Sequence, residues 1–143
     1  MSAGVSKLAG LAVGSRRDQV IVENLPRVAM VHYAGVSGDY NPIHTDEVYA
    51  REVSGIPTVF AHGMWTMGAV GRLVTDFVGD GTLVTYSGRF VGQLWPGDNL
   101  TARAEVSECQ TADGVTSVTV EVIARNQHGV SIFRGEAVAK AAL

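Results

Sequence analysis

The sequence predicts an α+β domain with its helices on one face of an antiparallel sheet. Three observations lead there. Residues 63–78 are apolar around most of a helical circumference, so the helix they form has to be buried. From Leu83 onward the apolar period changes to two, the period of a strand. Turn signals at Trp95-Pro96-Gly97-Asp98, Asp113-Gly114 and Asn126-Gln127-His128-Gly129 then divide the second half of the chain into strands. Curling the sheet around the helix hides both apolar surfaces at once.

Taken in order, residues 1–17 are small and glycine-rich and read as a flexible lead-in; residues 18–143 read as a single domain. Asp18 to Val22 forms a short first strand. Asn24 is a candidate cap for the helix that follows, with Pro26 in its first turn, where the missing N–H costs little. Val28, Val31, Tyr33 or Ala34, and Val36 give that helix an apolar face, and Gly38 is placed to end it. Asn41-Pro42 forces an extended turn. Thr45 is the expected N-cap of a short helix over 46–53, with Asp46 and Glu47 suiting the dipole of its first turn. Ser54-Gly55-Ile56-Pro57 breaks it.

The long helix over 63–78 carries Met64, Met67, Val70, Leu73, Val74 and Phe77, with only Arg72 and Asp76 charged. Its small residues Gly68, Ala69 and Gly71 let a sheet or a partner backbone come close. Gly79-Asp80-Gly81 ends it. Strands are expected at 83–94, 100–109, 115–125 and 130–141, joined by the turns above into a meander. In the third of these, Val118, Val120, Val122 and Ala124 alternate with Ser117, Thr119, Glu121 and Arg125, the pattern of a half-buried strand.

Bulk properties narrow the function classes. A chain of 143 residues can bury a core without staples. Charged residues make up 17%, below the roughly 25% of soluble domains, which points to extra buried surface such as a subunit interface. A net charge of -3 and a pI of about 5.7 give no basic field for nucleic acid. Cys109 is the single cysteine, so no internal disulfide forms, and a cytoplasmic location is expected. No apolar run reaches the length of a membrane span, and the first residues lack the core of a signal peptide.

The chemistry concentrates in Tyr33-Ala34-Gly35-Val36-Ser37-Gly38-Asp39-Tyr40-Asn41-Pro42-Ile43-His44. An acid and an imidazole stand five residues apart around an Asn-Pro turn, the parts that general acid–base catalysis needs. Ala61-His62-Gly63 opens the long helix. The first N–H groups of a helix have no internal partner, so Gly63 can offer an oxyanion site that a substrate carbonyl approaches closely.

Asp39-Tyr40-Asn41-Pro42-Ile43-His44, preceded by Ser37-Gly38 and followed by Ala50, resembles the hydratase signature of the MaoC-like family. Ala61-His62-Gly63-Met64 resembles its second segment, and Val84 to Asp98, ending Trp95-Pro96-Gly97-Asp98, its strand and following turn. The resemblance covers roughly residues 18–141, and the three motifs in that order are specific. It implies a hot-dog fold and reversible hydration of a trans-2-enoyl thioester to an (R)-3-hydroxyacyl thioester. Within the family the chain is most similar to the single hot-dog type, the (R)-specific enoyl-CoA hydratases and hydroxyacyl-carrier-protein dehydratases. Some relatives place a serine eight positions beyond the oxyanion glycine; here that position is Gly71.

Carried onto this chain, the resemblance makes Asp39 and His44 catalytic, sharing one water, with the proton assignment open. Gly63 would be the oxyanion donor and Asn41 would hold the loop or the water. His44, just before a helix N-terminus, is expected to stay neutral. Trp65 and Met67 are candidate pocket walls, and Trp65 would limit acyl room. No metal or redox cofactor is expected; CoA or phosphopantetheine carries the substrate. The expected partners are acyl-CoA or an acyl carrier protein, and a second hot-dog subunit in a homodimer or a heterodimer.

Blander readings stand beside these. His62 reads as structural, orienting the loop; His32 and His128 as a helix-face and a turn residue. A metal site of Asp39, His44 and His62 lacks any compact ligand pair such as His-x-x-x-His. Cys109 falls on the polar face of its strand. Arg89 and Arg103 serve either a carrier's phosphate or a solvated strand face. A hot-dog thioesterase, or a non-catalytic subunit of a dehydratase complex, are the competing functions.

Overall fold

A computed structural model of the chain describes residues 7–142. Five antiparallel strands form one sheet in the order β1-β3-β4-β5-β2: β1 (Arg16–Val22), β2 (Leu83–Phe90), β3 (Leu100–Ala112), β4 (Val115–Asn126) and β5 (Ser131–Ala142). The central helix, Gly63–Val78, packs against β1, β2, β3 and β5. The sheet therefore curls about an apolar helix, as the change of period predicts. Among the described residues, no helix is long and apolar enough to cross a membrane.

The core follows from two periodicities meeting. Thr66, Val70, Leu73, Val74, Phe77 and Val78 form the buried face of the helix. Opposite them lie Ala102, Ala104 and Val106 of β3, Val118, Val120 and Val122 of β4, and Phe133, Ala137 and Ala139 of β5, all buried. Full burial of each larger side chain contributes about 1.5–3 kcal/mol. The strand alanines leave room for the helix backbone. Its outer stripe of Met64, Gly68, Arg72 and Asp76, spaced at four, stays exposed.

Several local expectations are corrected. The meander fails at its first link, because β2 pairs with β5 and not with β3. β2 stops at Phe90, and the chain then runs through residues 91–99 to the far side of the sheet. Gly92 marks the departure: a Cβ there would stand 2.6 Å from the Ser131 carbonyl. The described part of the lead-in is packed, with Leu8 fully buried and the Gly14 N–H bonded to Val106 O at 2.9 Å.

Asn24 is not a helix cap. Pro26 holds the cap position of the first long helix, Arg27–Ser37, without a side-chain bond. Asn24 instead takes a left-handed conformation (φ 50), and its N–H bonds Asn99 Oδ1. Thr45 yields the second cap to Asp46, whose Oδ1 accepts the N–H groups of Val48 and Tyr49. Thr45 instead closes the 3-10 turn Pro42–His44, and the helix continues as a π-helix over Tyr49–Val53. Cys109 turns inward, not outward. A bulge between Val106 and Glu108 advances the strand by one residue and swaps its faces. Cys109 is consequently half-buried against the core, its thiol 3.7 Å from Leu11 O.

Candidate active site

The site is built by the exit from the first long helix. Gly38 takes a left-handed conformation (φ 76) and its N–H bonds Ala34 O, closing the helix. That geometry turns Asp39 sideways out of the helix. Two successive side-chain turns then shape the loop: Asp39 Oδ1 accepts the Asn41 N–H, and Asn41 Oδ1 accepts the Ile43 N–H, each at 3.2 Å. Pro42–His44 forms a 3-10 turn that brings His44 back toward Asp39.

His44 is buried and its Nδ1 lies 2.7 Å from the Phe60 carbonyl. A carbonyl only accepts, so Nδ1 carries the hydrogen in the neutral ring and Nε2 keeps its lone pair. That Nε2 stands 4.0 Å from Asp39 Oδ2, and the Asp39 side chain is 52% exposed. The His44 pKa is held below its ordinary 6.5, chiefly by burial. The Phe60 carbonyl and Asp39 pull the other way, and His62 adds to the lowering. The expectation of a neutral His44 rests on a helix N-terminus; here burial is the chief cause, and His44 itself ends a short 3-10 turn.

His62 stands directly behind the pair. It is 1% exposed. Its Nε2 donates to the main-chain carbonyl of Asp39 at 3.1 Å, and among the described residues its Nδ1 has no hydrogen-bond partner. The rings of His44 and His62 stack at 3.8 Å with 26° between planes, and Tyr33 meets His62 edge-on at 4.8 Å.

Gly63 is the first residue of the central helix, preceded by His62 as the cap residue. The Phe90 ring leans on it; a Cβ at 63 would fall 2.8 Å from ring carbons. Beside this contact lies a cavity of about 440 Å³ lined in part by Phe60, Thr66, Phe90, Leu94 and Ile132. Asp39 and His44 are not lining residues of that cavity, but Phe60, which lines it, contacts His44.

The structure thus brings Asp39, His44, Asn41 and His62 together with Gly63 adjacent. Trp65 is not on the wall beside Gly63. Two residues along a helix turn the side chain to the opposite side, where Trp65 joins Ala29, Tyr33 and Val36 in a shallow hollow. Met67 is partly buried against the core and its carbonyl accepts the Tyr86 hydroxyl at 3.0 Å. At Gly71, the Tyr86 ring lies 3.1 Å from where a Cβ would be, so this aromatic fills the place of a side chain. Arg103 is held by Asp18 at 2.7 Å on the sheet face. Sequence reasoning misses Phe60, which acts through a backbone carbonyl that no side-chain pattern advertises. It also misses Phe90, whose approach to Gly63 depends on where an edge strand lies.

One ligand atom from each of Asp39, His44 and His62 falls within a common span of 4.8 Å. The stacked rings make this a poor cation site. Each imidazole lone pair lies in its own ring plane, and an ion between near-parallel planes would be well out of line with both.

Comparison with known proteins bears on the family and the fold. The profile of the MaoC-like domain matches residues 9–128. The 3-hydroxyacyl-thioester dehydratase Y of Mycobacterium tuberculosis is 27% identical over 131 residues, 90% of this chain and 35% of the relative. The fatty acid synthase subunit beta of Aspergillus oryzae is 47% identical over 75 residues, 50% of this chain and 4% of the relative. The chain therefore spans a minor part of these relatives' length. The R-hydratase PhaJ1 from Pseudomonas aeruginosa superposes with a TM-score of 0.79 at 26% identity, covering 95% of this chain and 88% of that structure.

Proposed function

This chain belongs to the MaoC-like dehydratase family, with that family's hot-dog fold, and from that premise we propose that it reversibly hydrates trans-2-enoyl thioesters to (R)-3-hydroxyacyl thioesters. The observation that carries the reading is the gap of 4.0 Å between His44 Nε2 and Asp39 Oδ2. It is too long for a direct hydrogen bond and suits one water held by both groups.

The chemistry follows from the groups. In hydration, water attacks C3 while the pair removes one of its protons. The C2=C3 electrons move toward the thioester carbonyl, and C2 then takes a proton from the pair. His44 is equipped for this traffic because its Nδ1–H is fixed on Phe60 O, leaving Nε2 bare. Developing enolate charge on the thioester oxygen would be met by the Gly63 amide, at the positive end of the central helix. Asn41 positions the loop through Ile43 N–H. Nothing in this scheme calls on a metal or a redox cofactor; CoA or phosphopantetheine carries the acyl group. The names of the relatives, a 3-hydroxyacyl-thioester dehydratase and an R-hydratase, support both directions of one reaction. Fatty-acid metabolism in the cytoplasm is the proposed setting.

A second hot-dog subunit is part of the proposal. Asp39 is half exposed, and the stripe of Met64 and Gly68 on the central helix lies open. Strand β2 pairs on one side only. A partner, identical or homologous, would cover that edge and enclose the acid–base pair.

The test is incubation with crotonyl-CoA. Loss of the enoyl absorbance without release of free thiol is the expected result. Release of free thiol would mean thioester hydrolysis and replace the reading with a thioesterase.

A further inference from the structure

We propose that His62 is the positioning residue of this site: its Nε2–H holds the main-chain carbonyl of Asp39, and its ring face sets the plane of His44. The inference rests on the hydratase reading and goes beyond it by assigning a residue that acts through Asp39 and His44.

The argument starts from what holds the loop in place. Asp39 and His44 belong to one loop, and that loop is tied to the segment Phe60–Gly63. The Phe60 carbonyl accepts the His44 Nδ1–H at 2.7 Å, and the Asp39 carbonyl accepts the His62 Nε2–H at 3.1 Å. The next residue, Gly63, opens the central helix and supplies its first amide. Base, acid and oxyanion donor are thereby all referenced to four consecutive residues. Ala61 anchors that segment in turn, its N–H bonding Leu94 O at 2.9 Å. His62 contributes the side-chain part of the clamp.

A packing role alone does not account for the imidazole. The ring is 1% exposed, and among the described residues its Nδ1 meets no protein hydrogen-bond partner, so the imidazole is not explained by a second bond. Phe or Leu would fill the space without it. What an imidazole adds is a donor aimed at Asp39 O together with a flat face for His44, stacked at 3.8 Å and 26°. Because Asp39 O only accepts, the hydrogen of His62 sits on Nε2. The ionisable groups against the two rings are Asp39 and Tyr33.

The test compares His62→Gln, whose amide can replace the Nε2–H donor, with His62→Phe, which keeps the flat ring and loses the donor. Crotonyl-CoA is the substrate. His62→Phe is expected to lower kcat about 10- to 100-fold with KM little changed, the cost of a small misplacement. His62→Gln is expected to recover most of that loss. Equal losses in both variants, or full activity in His62→Phe, would overturn the assignment. Nitrogen NMR of the histidines in the unmodified chain decides it even if a variant fails to fold: a neutral His62 protonated at Nε2 supports the proposal, and a proton on Nδ1 near pH 7 refutes it. If the unmodified chain leaves crotonyl-CoA intact both alone and with a homologous hot-dog subunit added, the hydratase reading fails, while the NMR result still decides the ring's placement.

Discussion

At Asp39 and His44 the balance of forces is readable atom by atom. Burial is the largest influence on His44 and pushes its pKa below 6.5, while Asp39 works against it. A histidine with a depressed folded pKa binds a proton more weakly folded than unfolded. Its contribution is therefore intact above about 6.5 and is lost as pH falls from there toward the folded value. The acid limb of kcat/KM is expected below 6.5, because the proposed mechanism needs His44 unprotonated in the free enzyme. A limb at or above 6.5 in a pH–rate profile would contradict that. Asp39→Asn keeps the acceptor for the Asn41 N–H and removes the charge. It should lower kcat by about 10²- to 10⁴-fold without changing the circular dichroism spectrum. His44→Gln should do likewise. Unchanged turnover in either would make this chain a silent subunit.

Among the elements, the turn before β3 and the glycines of β2 and β5 decide how the pieces join. Asp98 is buried; one carboxylate oxygen accepts the Trp95 N–H at 2.9 Å and the other the Gln127 side-chain amide at 2.8 Å. It thus ties the residue 95–98 turn to the turn between β4 and β5. Asp98→Ala leaves both donors unpaired and should cost about 1–3 kcal/mol, seen as a lower urea midpoint. Gly88 on β2 faces the Phe133 ring, and a Cβ there would also stand 2.8 Å from Arg134 O. Neither backbone nor a fully buried ring yields easily. Gly88→Ala should therefore destabilise by about 1–3 kcal/mol in thermal unfolding. Gly35→Ala, with open space around the added methyl inside a helix, serves as the contrasting variant and should raise stability by about 0.5–1 kcal/mol.

For the whole molecule, the question is what covers the open face. Met64, Val84, Phe90 and Val91 are exposed apolar residues on or beside β2 and the start of the central helix. β2 is also an edge of the sheet. Exposed apolar surface beside an unpaired edge marks an interaction site. Sedimentation at micromolar concentration is expected to give about twice the 15.1 kDa chain mass. If the chain instead sediments as an active monomer, the shared-site picture is wrong. If it is monomeric and inactive until a homologous hot-dog subunit is added, the heterodimer form holds.

By itself the sequence determined whatever is local. The buried helix over 63–78, the alternation in β4 and the placing of Asp39, Asn41 and His44 on one turn all follow from periodicity and turn chemistry within a dozen residues. Tertiary structure decided whatever depends on distant neighbours. β2 lies beside β5, and one bulge reverses the facing of Cys109. Trp65 points away from Gly63 and Phe90 leans over it. The Phe60 carbonyl and the His62 ring secure the acid and the base from a segment some twenty residues away. Pairing between remote strands and hydrogen bonds to main-chain carbonyls leave no periodic trace along the chain, so they become visible only once it is folded.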